Sequence, residues 1–149
     1  MTVEDFKKKD VIYFEKIQTG LSDYNHVSLK LTEKAAAKHF RELMEKYGTE
    51  NAYTDFYYFR LDEDAREEVE SELTVMDIDY LREIQPEDVE DEIIFPLTEP
   101  LLQIIVKLNA SEMLFSTLYF QGSKEKGLTP SSWWGNYEQE YICFRRSRT

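Results

Sequence analysis

Apolar residues recur along this chain at two spacings, and the switches between them set the expected architecture. Ala36, Phe40, Leu43 and Tyr47 fall on one face of a helix that Thr32 can cap and Gly48 can end. Leu101, Ile104, Ile105 and Leu108 make a second stripe, with Thr98 as its cap and Glu99 and Pro100 in its first turn. A further helix is expected over residues 3–19. There Phe6, Tyr13 and Ile17 share a face, Thr2 precedes Glu4 and Asp5, and Gly20 follows. Asp62 opens an acidic helix with Ala65, Val69, Leu73 and Met76 inward, and a short helix or turn around residues 77–84 ends before Pro86.

The other spacing has period two. Val27, Leu29 and Leu31 alternate with His26, Ser28 and Lys30, which reads as a short half-buried strand. Residues 53–61 carry aromatic rings at both alternating sets of positions, the pattern of an interior strand covered on both sides. Strands are also expected at residues 93–95, 113–120, 133–137 and 141–145, the last two joined by a turn at 136–139. Residues 121–132, with Gly122, Gly127 and Pro130, form the principal loop. The order ends on consecutive strands, which favours an α+β fold over a doubly wound parallel sheet. The expected object is one layered domain over residues 1–149: a mixed or antiparallel sheet of five to six strands with helices packed on it.

Composition narrows the class. Ten Tyr, nine Phe and two Trp in 149 residues are too many aromatics for a disordered acidic chain. A single cysteine, Cys143, excludes an internal disulfide framework. No apolar run approaches the roughly 18 residues of a membrane span, and the first residues lack a signal-type apolar stretch, so a cytoplasmic location is expected.

Charge changes the picture most. Residues 50–99 hold eighteen acids against Arg60, Arg66 and Arg82, a net of −15, although the whole chain is only −12. The flanks are therefore mildly positive. An excess of this kind opposes binding to nucleic acid or an anionic membrane and suits a basic protein partner. The main candidate face is the helix after Asp62, where Glu63, Asp64, Glu67, Glu68, Glu70 and Glu72 leave only the Ala65–Val69–Leu73 stripe uncharged. Like charges four apart, such as Glu63 and Glu67, oppose the helix slightly, a cost that a functional field would justify and a merely solvated face would not.

Trp133 and Trp134 are the second feature. In a strand they point to opposite faces, so Trp134 is a candidate partner contact if Trp133 is core.

Catalytic motifs are missing from the sequence. His26 and His39 do not form a zinc motif, and the acids at 87–92 lack the spacing of a calcium loop, so no metal or cofactor is expected. His39 reads as a residue at the core boundary. Cys143, between Ile142 and Phe144, reads as a small buried hydrophobe with Arg145 as its nearest cation.

These features lead to an expectation of a non-enzymatic inhibitor, an immunity-type protein that neutralises a basic partner such as a nuclease toxin. Two alternatives accompany it. One is a phage-type antagonist whose acids mimic nucleic-acid phosphates. The other is a small ligand-binding domain or enzyme with a Tyr-rich pocket near Tyr57 or Asp55, which requires a deep pocket and a desolvated acid where an inhibitor requires an exposed acidic face.

Overall fold

A computed structural model describes residues 1–146. The chain is α+β, with a six-stranded, wholly antiparallel sheet in the order β1-β6-β5-β4-β2-β3. The strands are β1 (Asn25–Lys30), β2 (Ala52–Asp55), β3 (Ile94–Pro96), β4 (Thr117–Phe120), β5 (Ser131–Gly135) and β6 (Glu140–Arg145). The helices are α1 (Val3–Phe6), α2 (Ile17–Asp23), α3 (Glu33–Tyr47), α4 (Glu63–Glu70), α5 (Val75–Ile84) and α6 (Glu99–Ala110).

One face of the sheet carries the main core. The stripes read from the sequence put Phe40 and Tyr47 of α3 and Leu101, Ile104 and Leu108 of α6 into it, against Phe120, Trp133, Tyr141 and Cys143 of the strands. The expected caps are present. Thr32, Asp62 and Thr98 each accept the backbone N–H of the third residue after them, and Gly48 ends α3 at φ 95°, a conformation that favours glycine. His39 is half-buried, its ring 4.6 Å from that of Trp133, and burial lowers its pKa.

The opposite face corrects the expected helix over residues 3–19. Only α1 and α2 are helical, and residues 11–14 between them have no regular secondary structure. Gly20 lies inside α2 and does not end a helix; a Cβ there would come within 2.4 Å of the Phe14 ring. The reason is tertiary. Val11-Ile12-Tyr13-Phe14 is a β-branched and aromatic run, and it is needed to cover the second face of the sheet. Ile12 and Phe14 bury themselves against Ile142 and Phe144, while Phe6 packs with Tyr53, Ile94 and Tyr119. The segment is tied down by Ser132 Oγ donating to the Ile12 carbonyl at 2.6 Å and by the Gly122 N–H donating to the Asp10 carbonyl at 2.9 Å.

Several strand expectations also shift. β1 forms, but every one of its residues is exposed, because it is the sheet edge and the helix layer stops short of it; Val27 and Leu29 are not half-buried as a pair. The strand expected over residues 53–61 ends at Asp55, after which a 3₁₀ turn spans Tyr58–Arg60. The strand expected over residues 113–120 contracts to β4. Met76 is 82% exposed, since it starts α5 and does not continue the α4 stripe.

The loop between β4 and β5 is shorter than expected, because Ser131 and Ser132 already belong to β5 and are buried, and it carries exposed Lys124 and Lys126 around a tight turn at Gly127. Limited trypsin digestion should cut first at Lys124 or Lys126, read by mass spectrometry. First cleavage at Lys38, inside α3, would contradict this arrangement.

Candidate functional site

Under the N-terminal segment lies a cleft of about 850 Å³. Its walls come from distant parts of the chain: the first turn, residues 13–15, the end of β2, the turn at 90–93, the approach to β4, and the β5–β6 hairpin. Six aromatic rings line it: Tyr13, Phe14, Tyr57, Phe115, Trp134 and Tyr137. Phe14 and Trp134 are stacked at 5.7 Å between centroids, and Phe115 meets Tyr137 edge-on at 4.7 Å.

The charges in the lining are uneven. Glu4, Glu15, Asp55, Glu90 and Asp91 contribute carboxylates, and Arg60 contributes a single guanidinium. Arg60 sits 5.7 Å from the centre of the Tyr57 ring, and its Nε lies 3.7 Å from Glu90.

Asp55 is the deepest acid, 6% exposed. Its position follows from the sheet. The β2–β4 pairing stops at Thr54 opposite Leu118, and beyond it the Asp55 carboxylate takes the place of a backbone acceptor. Thr117 N–H donates to Oδ1 at 2.8 Å, and the Tyr119 hydroxyl donates to Oδ2 at 3.3 Å. These bonds favour the ionised form, but burial outweighs them and raises the carboxyl pKa to about 7. Burial, followed by the nearby Asp55 charge, pushes the Tyr57 and Tyr119 hydroxyls well upward; burial, Glu15 and Asp55 raise Tyr13. At neutral pH the cleft therefore offers neutral phenols around a carboxyl group close to half-ionised.

The residues singled out from the sequence are not all in one place. Glu63, Asp64, Glu67, Glu68, Glu70 and Glu72 lie on or just after α4, in the helix layer, and among the described residues none forms an ion pair. Arg66 does not neutralise them, because it folds over the Tyr58 ring and donates to the Phe59 carbonyl at 3.1 Å. Trp134 is on the other face of the sheet, in the cleft, while Trp133 is 3% exposed in the main core. The two indoles take opposite faces, Trp133 in the main core and Trp134 partly buried beside Phe14, and α4 and Trp134 do not form one face.

Sequence reasoning found Asp55, Tyr57 and Trp134 but missed Tyr13, Phe14, Phe115 and Tyr137. A lone acid inside the aromatic run 53–59 was the available signal for the floor of the cleft.

The remaining chemistry is quiet. Cys143 is 1% exposed, and burial raises its thiol pKa despite Arg145. Among the described residues no group of three or more His, Cys, Asp or Glu side chains gathers to hold a metal, and no helix is long and apolar enough to cross a membrane. Comparison with protein-family models, with curated proteins and with solved structures gives no match.

Proposed function

We propose that this is a non-enzymatic binding protein for a basic protein partner, of the immunity type that neutralises a cationic toxin such as a nuclease, and that the partner docks in the cleft and not on α4. The observation supporting this reading is the cleft's lining, five carboxylates and six aromatic rings against one guanidinium. A partly desolvated carboxylate attracts a cation more strongly than one in open water, and aromatic faces add cation–π attraction. The α4 acids line no part of this cleft, and exposed acids outside a partly desolvated site contribute more to association rate than to specificity. The acidic segment still matters here, because it supplies Asp55, Tyr57, Glu90 and Asp91.

A second reading is favoured by one observation, the Asp55 carboxyl near pH 7 among three tyrosines. That is the arrangement of a proton-exchanging group, and it suits a small ligand-binding domain or enzyme. Such a site would act on its small ligand with no protein partner present.

The test begins with capture of the partner from the producing cell at low salt. Association rate is then measured against ionic strength for three proteins. Changing Glu15, Glu90 and Asp91 to their amides should slow association roughly tenfold at low salt and flatten the salt dependence. Changing Glu63, Glu67 and Glu70 to Gln should leave the rate within about twofold, with folding stability equal or slightly higher as like-charge repulsion is relieved. The opposite ranking would move the docking site to α4 and revive the phosphate-mimic alternative.

A further inference from the structure

We infer that the cleft is a guanidinium site, shaped for an arginine side chain of a bound peptide segment, with Asp55 as the carboxylate that receives it; this rests on the reading of the cleft as the docking site. Three observations carry it. The first is that the cleft wall already holds one guanidinium over a tyrosine ring, close to a carboxylate. Arg60 lies over the Tyr57 ring at 5.7 Å and beside Glu90 at 3.7 Å, with its side chain 41% exposed at the rim.

The second is the unused capacity of Asp55. An ionised carboxylate accepts about four hydrogen bonds, and this one accepts two, one on each oxygen. Each oxygen therefore keeps an acceptor position, which is what a bidentate guanidinium fork requires. A lysine ammonium is a point donor without the flat fork, and it gains less from stacking on Tyr57 or Tyr13.

The third is size and sign. A volume of about 850 Å³ exceeds one side chain and accommodates a short run of peptide. The surplus of carboxylates rejects anionic ligands, and the neutral Tyr13, Tyr57 and Tyr119 hydroxyls facing Asp55 add no positive charge to compete with a guest. The competing cations are Arg60 at the Tyr57 ring and Lys7, whose ammonium lies 5.5 Å from the centre of the Tyr13 ring.

The experiment titrates the whole protein at pH 8 with Nα-acetyl-arginine methylamide, its lysine counterpart and its neutral citrulline counterpart. The readout is the NMR shift of the tryptophan indole N–H groups. The arginine compound should produce a saturable shift at one indole and bind about tenfold more tightly than the lysine compound, with citrulline weaker still. Asp55→Asn and Glu90→Gln should each weaken arginine binding several-fold, and Arg60→Gln should strengthen it. Equal binding of arginine and lysine would overturn guanidinium selectivity and leave a general cation site. Equal binding of citrulline, or no saturable shift, would overturn the inference altogether. The docking reading would still stand in that case if the cleft amides slowed association with the captured partner, and would fall with it if they did not.

Discussion

Replacing Asp55 by Asn should make the protein more stable at pH 8, by roughly 2–4 kcal/mol, while weakening its binding of cations. The asparagine keeps the local geometry. Its oxygen can accept from Thr117 N–H, and its amide can donate to the Tyr119 oxygen, where the native hydroxyl is the donor. What changes is the charge. Because burial raises the folded-state pKa to about 7 from an ordinary 3.8, ionisation at neutral pH favours the unfolded chain. The stability Asp55 contributes is complete below about pH 3.8 and is lost as pH rises through about 7. Wild type and variant should therefore have similar denaturant midpoints near pH 3.5, diverge between about pH 4 and 7, and stay apart by a near-constant amount above that. Asp77 and Glu99 do not confuse the comparison, since they are present in both proteins; against the opposing effect of burial, the Thr74 N–H and then Lys107 lower the pKa of Asp77, and Arg41 lowers that of Glu99, so their contribution moves with pH in the opposite direction. A constant difference across the range would mean that Asp55 is not the desolvated group described here. A buried acid that costs the fold this much at neutral pH is expected where binding, and not stability, sets the residue.

Phe40→Ala should be the most damaging single change in the helix layer, costing about 3–5 kcal/mol, enough to unfold a protein of ordinary stability at 37 °C. Phe40 is fully buried and meets Phe120, Trp133 and Tyr141, so the cavity would open where α3 crosses β4, β5 and β6. Phe14→Ala provides the contrast. Phe14 is 8% exposed and stacks on the half-exposed Trp134, so truncation opens the cleft wall more than the core. Its cost in urea denaturation should be smaller by at least about 1 kcal/mol, with the loss appearing chiefly in binding. Equal costs would mean that the N-terminal segment is as integral to the fold as the helix layer.

The two longest helices, α3 and α6, were legible because each presents a buried stripe behind a recognisable cap. Thr32, Ala36, Phe40 and Gly48 each act locally as their position suggests. The second face was not legible in the same way. Residues 10–14 follow a short capped helix and carry apolar residues that also fit helical spacing; what takes them out of a helix is the sheet face of Tyr119, Ile142 and Phe144 that they cover, and those lie more than a hundred residues further on. The candidate site suffers from the same non-locality. Asp55 and Tyr57 could be suspected from one aromatic run, but Tyr13, Phe115 and Tyr137 reach the cleft only once the sheet exists. Charge density and concavity do not coincide in this fold. Charge identified the segment correctly as unusual, yet the acids densest in sequence lie on α4, while the cleft uses Asp55, Glu90 and Asp91 from the same segment.

The open edge at β1 gives the chain's charge a further meaning. Val27 and Leu29 are 60% and 37% exposed on a strand whose outer backbone groups are free to pair. Edges of this kind invite stacking of one molecule on another, and many proteins defend them with a lysine, a proline or a bulge. Here the whole body carries −12. Mutual repulsion between copies adds to the one lysine that β1 itself carries, Lys30, so colloidal behaviour is bound to electrostatics. A partner that cancels the charge in the cleft also removes part of what keeps two complexes apart.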